Sequence, residues 1–234
     1  MSGPAARQLI LDLPQRQAFG RDDFLVTASN AAAVAMIDRY PDWPSYGIVL
    51  TGAPGSGKSH LLAVWRQAAG ARLKNAEDIG HEPPDRLLAQ GALAIDNAPG
   101  QALDERALFH LLNLARQTGA HVLLASEADP AHWPVALPDL ASRLKALAVA
   151  RLEPPDDSLL RGVMVKLFAD RQVTVEESVI SYLMLRMPRS LEAVRTLVAG
   201  IDRLALVEKA PVSRALAARA LHALAEPGLF PEDG

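Results

Sequence analysis

Gly52-Ala53-Pro54-Gly55-Ser56-Gly57-Lys58-Ser59 is the stretch that decides how the rest of the chain reads. Gly52, Gly57, Lys58 and Ser59 stand at the spacing of a phosphate-binding loop. The stretch follows Gly47-Ile48-Val49-Leu50, an apolar run of buried-strand type within Tyr46 to Thr51. A helix is expected behind it, from Lys58 to Ala69. Strand, loop and helix in that order are the setting the pattern requires. Glycines let successive backbone N–H groups converge on phosphate oxygens, and a helix N-terminus adds positive potential. Lys58 is expected to reach the outer phosphates and Ser59 to ligate Mg²⁺, with His60 closing the segment. The alternative is a Gly/Pro-rich turn that matches by chance, and the flanking elements argue against it.

Outward from the loop, short apolar runs alternate with helical patterns. Residues 29–39 read as a helix with Ser29 as N-cap. Ala71 to Lys74 reads as a second strand, and Pro83-Pro84 breaks the chain. Ala92-Leu93-Ala94-Ile95-Asp96 is a third strand, ending in an acid. Asp104 to Thr118 has helical periodicity, with Leu108, Leu111, Leu112 and Ala115 on one face and Gly119 suited to C′. Val122 to Ser126 is a fourth strand, Asp139 to Ala146 a short helix and Leu147 to Leu152 a fifth strand. This alternation predicts an α/β core with a parallel five-stranded sheet flanked by helices. After Pro154-Pro155 the pattern is helical only. Asp156 or Asp157 caps a helix to Arg171, and helices over 176–186, 190–207 and 213–224 follow. The expected organisation is an arm over 1–18, a core over 19–153, a small all-helical lid over 154–225 and a tail over 226–234.

Composition narrows the function classes. Of 234 residues, 50% are hydrophobic and 5% aromatic, with Ala and Leu dominant. That favours a helix-rich globular protein over an all-β one. The net charge of -3 is unlike that of a free-standing DNA-binding domain. There is no cysteine, which excludes disulfides, thiolate metal sites and cysteine nucleophiles. The six histidines follow no ligand spacing. The N-terminus lacks a signal layout, and no apolar run approaches the roughly 18 residues of a membrane span. A cytoplasmic protein is expected.

Asp96 ends an apolar strand, so its carboxylate should emerge at the carboxyl edge of the sheet. There it would help Ser59 hold Mg²⁺. As a bare dipeptide, Asp96-Asn97 also suits the start of a turn. Many P-loop ATPases carry a second acid next to the first, and it polarises the attacking water. Asn97 is neutral and a poor base, so intrinsic hydrolysis should be weak unless Glu105 or another group substitutes.

With these residues in view, the chain resembles the AAA+ ATPases, and within them the DnaA/Hda family. The resemblance runs over most of the chain. Leu93-Ala94-Ile95-Asp96-Asn97 looks like the Walker B segment of the Hda type, where Asp-Asn replaces a pair of acids. Leu123-Leu124-Ala125-Ser126 followed by Asp129-Pro130 resembles the sensor 1 strand and its exit. That implies Ser126 near the γ-phosphate; a strand-end turn is its other role. Leu137-Pro138-Asp139-Leu140-Ala141-Ser142-Arg143-Leu144 resembles the box VII helix. It implies that Arg143 is an arginine finger completing a neighbour's ATP site, as against a solvated helix arginine. Arg189-Ser190-Leu191-Glu192 resembles the sensor 2 segment, implying that Arg189 reaches back to bound phosphates; otherwise it is an arginine near a helix N-cap. Gln8-Leu9-Ile10-Leu11-Asp12-Leu13 resembles the clamp-docking peptide of the family, with Gln8, Leu9, Leu11 and Leu13 as contacts; an N-terminal edge strand would look similar. Phe24 and Leu25 lie where family members wrap the adenine.

The resemblance implies an AAA+ core followed by a helical lid, with ADP or ATP and Mg²⁺ as cofactors. It implies DnaA and the β sliding clamp as partners, with DNA met through the clamp. The expected function is to stimulate hydrolysis of DnaA-bound ATP and so prevent re-initiation of replication. The 213–224 helix is followed only by Glu226 to Gly234, so no helix-turn-helix DNA-reading domain of the DnaA kind is expected. A self-sufficient ATPase of the helicase-loader kind is the rival, and it needs robust turnover despite Asn97. A small-molecule P-loop kinase would need an Arg-rich lid within the core. A pure binding module would be indifferent to loss of Arg143. Self-association is left open.

Overall fold

The computed structural model describes residues 24–225. Its strands are β1 (Gly47–Thr51), β2 (Arg72–Asn75), β3 (Ala92–Ala98), β4 (His121–Ser126) and β5 (Ala148–Arg151). They form one sheet in the order β2-β3-β4-β1-β5, and every neighbouring pair is parallel. Parallel neighbours need crossover connections, which helices supply. α1 (Ala31–Ile37) precedes β1. α2 (Lys58–Ala69) leads to β2, and α3 (Pro84–Leu87) lies between β2 and β3. α4 (Glu105–Thr118) joins β3 to β4, and α5 (Pro138–Lys145) joins β4 to β5.

Strand side chains alternate between faces, so the central strands β1, β3 and β4 each serve two cores. Val49, Leu93, Ile95, Val122 and Leu124 join Leu108, Leu111 and Leu112 of α4 and Leu140 and Leu144 of α5. Ile48, Leu50, Ala94, Leu123 and Ala125 join Leu61, Leu62 and Trp65 of α2 and Val34 and Ile37 of α1. Burial on both faces is why β1, β3 and β4 read as apolar runs, whereas the edge strand β2, Arg72–Asn75, is polar and partly exposed.

Behind Pro154-Pro155 come α6 (Asp157–Asp170), α7 (Glu177–Met184), α8 (Leu191–Glu208) and α9 (Arg214–Ala225). They surround a third core that includes Leu160, Met164, Phe168, Leu183, Val194 and Ile201. Asp156 is the N-cap of α6, accepting from Leu159 N at 2.7 Å. Among the described residues, no helix is long and apolar enough to cross a membrane. The clamp-like residues Gln8, Leu9, Leu11 and Leu13 lie outside the described residues.

Several local expectations are corrected. The N-cap of α1 is Asn30, not Ser29. Ser29 is engaged at the hinge instead: its carbonyl accepts from Glu153 N at 3.0 Å, and its N–H donates to Asp156 Oδ2 at 3.3 Å. Pro83-Pro84 does not only break the chain. Pro84 opens α3, where a missing N–H is harmless. Two 3-10 turns, Ala76–His81 and Pro130–His132, were not foreseen, because such short pieces leave no periodicity.

Candidate nucleotide site

Residues 52–57 turn the chain over the carboxyl edge of the sheet between β1 and α2. Gly55 and Gly57 have φ of +70° and +101°, left-handed values that favour glycine. At Gly52 the constraint is space. A Cβ there would come within 2.6 Å of Ser56 Oγ and 3.0 Å of the Leu152 carbonyl oxygen. Lys58 Nζ donates to the carbonyls of Gly52 at 2.8 Å and Ala53 at 3.0 Å, bracing the loop from inside. Burial pulls the Lys58 pKa below that of an ordinary lysine, while the carboxylates of Glu127 and Asp96 oppose that shift. Ser59 is exposed in the first turn of α2, and Pro54 and Ala53 are exposed on the loop. A glycine cradle, a partly desolvated cation and a helix N-terminus fit a polyphosphate.

The strand that carries Asp96 is bulged. β3 pairs with β4 in step as far as Ile95 and Leu124, then slips so that Ala98 faces Ser126. The slip falls on Asn97, whose φ is +56°. Asn accepts that conformation more readily than most residues. Bulges beside sites re-aim side chains. Asp96 Oδ1 accepts from Asn97 N at 2.9 Å, and Asn97 Nδ2 donates to Asn75 Oδ1 at 3.3 Å. Asp96 also lies near Lys58, which fits a role beside Ser59 in holding Mg²⁺.

Glu127 is the site residue that the sequence reading missed. It directly follows β4, and its charge acts on Lys58 more strongly than that of Asp96. Its position after a strand at the carboxyl edge was the available signal. Ser126 is 1% exposed, and its hydroxyl is fully occupied. It donates to Ala128 O at 2.8 Å and accepts from Ala128 N at 3.1 Å and Trp133 Nε1 at 3.1 Å. A hydroxyl has one donor and two acceptor positions, so the strand-end turn takes them all. Glu105 is not positioned as a substitute base either. Its carboxylate accepts from Ala136 N at 2.9 Å and Leu137 N at 2.7 Å, holding the head of α5.

The lid meets the loop directly. Leu191 N donates to Gly55 O at 3.0 Å. A Cβ on Gly55 would approach Ser190 Cβ to 2.9 Å, and one on Gly57 would approach Leu191 Cδ1 to 3.2 Å. Arg189, just before this contact, is ion-paired with Asp157 of α6 and is 49% exposed at its side chain. Phe24 packs on the α1/α2 core and meets the His60 ring edge-on, with centroids 5.1 Å apart. Leu25 packs on the lid core instead. Residues 24 and 25 thus bridge the two bodies beside the first turn of α2.

Arg143 is elsewhere. α5 ends at Lys145 and β5 begins at Ala148, which pairs with Ile48 near the start of β1. Arg143 approaches the hydroxyl of Tyr46, the residue before β1, whose pKa burial raises and Arg143 and Arg116 lower. That hydroxyl is buried and has no partner at ordinary hydrogen-bond geometry, so the approach is a loose one. The P-loop follows the other end of β1. At about 3.3 Å per residue, the strand separates the two by roughly 17 Å. Arg143 lines an open groove of about 530 Å³ between α4 and α5, with Phe109, Arg116, Asp139, Ser142 and Ala146.

No family model matches the chain. Solved structures do. Domain III of the replication initiation protein DnaA from Thermotoga maritima superposes with a TM-score of 0.74 at 19% identity, covering 89% of this chain and 98% of that one. AMPPCP-bound DnaA from Aquifex aeolicus gives 0.66 at 16% identity, over 87% of this chain and 68% of that one. The RuvB Holliday junction branch migration motor of Thermotoga maritima gives 0.59 at 16%, over 82% and 66%. The chain therefore shares the fold of DnaA domain III: a five-stranded parallel sheet with flanking helices and a helical region behind it.

Proposed function

We propose that this chain is an Hda-type regulator of replication initiation. It binds ADP or ATP with Mg²⁺ at its P-loop, docks on the DNA-loaded β sliding clamp through Gln8 to Leu13, and presents Arg143 to ATP held by DnaA. The observation that carries this reading is the separation of Arg143 from the chain's own P-loop by the length of β1. An arginine there is out of reach of a nucleotide bound to the same chain, so a phosphate that it meets belongs to another.

Lys58, Ser59 and Asp96 hold the phosphates and Mg²⁺ of the resident nucleotide; the Aquifex aeolicus neighbour with AMPPCP bound supports that reading. When bound, the nucleotide supplies a negative charge for Lys58 to pair with and sets the lid through Gly55 and Leu191. On DnaA, water attacks the γ-phosphorus, the bond to the bridging oxygen breaks, and ADP and phosphate leave. Arg143 offers N–H donors to the oxygens whose charge grows in that step.

The test is reconstitution: DnaA-bound ATP should be hydrolysed faster only when this chain, the clamp and DNA are all present. Unchanged hydrolysis with all three would remove the reading. Glu127 favours a second one, a self-sufficient ATPase in which that carboxylate orients water in place of the acid replaced by Asn97. High turnover by the isolated chain would select it.

A further inference from the structure

We infer that Arg116 is a second phosphate-binding residue, acting beside Arg143 on a nucleoside triphosphate held by another chain. The inference rests on the reading of Arg143 given above. Arg116 stands in the last turn of α4 and Arg143 in the last turn of α5. Both line the same open groove, and Ser142 is part of the same lining. Both arginines also lie near enough to the Tyr46 hydroxyl for their charge to lower its pKa against the effect of burial. Among the described residues, neither forms an ion pair within 4.0 Å.

Two convergent cations without carboxylate partners repel each other, and an anion entering between them relieves that cost. Guanidinium forks suit phosphate oxygens in particular. Asp139 is the one acid in the lining, one helical turn before Arg143. An exposed pair at that spacing is weak, so it does not hold Arg143 against a polyphosphate. The spacing of the two arginines is also fixed in advance. Glu105, the first residue of α4, ties Ala136 and Leu137 at the head of α5. Helices fastened at their N-terminal ends present their C-terminal arginines in a set relation, which is the preorganisation that such a site needs.

The experiment uses the full chain, clamp-loaded DNA and DnaA carrying ATP or ADP, over a range of chain concentrations. Arg116→Ala should raise the half-saturating concentration for ATP hydrolysis about ten-fold and leave the plateau rate within about two-fold. Arg143→Ala should abolish the plateau. Arg116→Lys, which keeps the charge and loses the fork, should fall between wild type and Arg116→Ala. Binding to ADP-loaded DnaA should be unaffected by Arg116→Ala. Equal weakening towards ATP- and ADP-loaded DnaA would make Arg116 a plain interface residue and overturn the inference. So would wild-type behaviour of Arg116→Ala beside an inactive Arg143→Ala, with the reading of Arg143 left standing. Wild-type activity in both variants would remove that reading, and this inference with it.

Discussion

The N–H of Leu191 donates to the carbonyl of Gly55 at 3.0 Å, fastening the first residue of the lid helix α8 to the tip of the phosphate loop. Gly55 is at the same time in a left-handed conformation, with Ser190 close enough to touch a Cβ. A change in the loop on phosphate binding is therefore a change in the seat of the lid. The helical region thus shares a hydrogen bond with the loop itself.

Gly55→Ala tests this linkage. The substitution meets both an unfavourable φ and the Ser190 side chain, and such replacements cost more than about 1 kcal/mol. Nucleotide affinity should fall at least ten-fold and the unliganded protein should melt a few degrees lower. Calorimetric titration and thermal melting read both. Unaltered affinity would mean that the loop and the lid are not coupled.

The Arg189–Asp157 pair lies on the lid surface and is weak, since exposed ion pairs contribute about 0–1 kcal/mol. A bound phosphate competes easily for Arg189. Asp157→Asn frees the arginine and should tighten nucleotide binding two- to five-fold, whereas Arg189→Ala should weaken it about ten-fold. If neither variant shifts the affinity, Arg189 serves the lid alone.

At Asn97 the left-handed backbone limits what can replace it. Asp tolerates that conformation, and a longer acid is strained by about 1–2 kcal/mol. Asn97→Asp should raise intrinsic ATP turnover of the isolated chain ten-fold or more, because a positioned base typically contributes 10²–10⁴-fold. Glu127→Gln should lower whatever turnover the wild type has. A steady-state phosphate assay reads both. No gain in Asn97→Asp would show that a missing acid is not what limits hydrolysis.

Asp156 links α6 to the segment before α1: it caps α6, and it accepts from Ser29 N. The bond from Leu159 N is the main reason that its pKa lies below the ordinary aspartate value, with Thr27 and Ser29 adding to it. A depressed carboxylate stabilises the fold fully above its unfolded pKa of about 3.9. That stabilisation is lost as pH falls through the lower folded value. Asp156→Ala should cost about 1 kcal/mol at neutral pH, as loss of an N-cap does. The wild-type and variant melting temperatures should converge below pH 4. A gap that persists undiminished in acid would mean that Asp156 acts by packing instead of charge.

Much of this was legible in the residues themselves. The apolar runs marked the central strands β1, β3 and β4 because both of their faces are buried, and Asp104 and Gly119 bound α4 as N-cap and C-cap. The P-loop could be read because its residue types and spacing follow from phosphate chemistry. What stayed hidden depends on pairing across the fold. The bulge at Asn97 exists only against β4, and the full hydrogen-bonding of Ser126 depends on Trp133. The engagement of Glu105 at the head of α5, 31 residues away in sequence, leaves no local pattern. Beyond its place after β4, Glu127 leaves no local pattern either, since only the fold brings its charge near Lys58.

In the proposed function Arg143 works on a nucleotide belonging to another chain. Single-turnover phosphate release from ATP-loaded DnaA, with clamp-loaded DNA and either wild type or Arg143→Ala, tests it most directly. The account predicts that Arg143→Ala lowers the stimulated rate at least a hundred-fold, since arginines in this role are worth about 10³–10⁵. It also predicts that the variant still binds ADP at its own P-loop as tightly as wild type. Stimulation by Arg143→Ala equal to that of wild type would contradict the account.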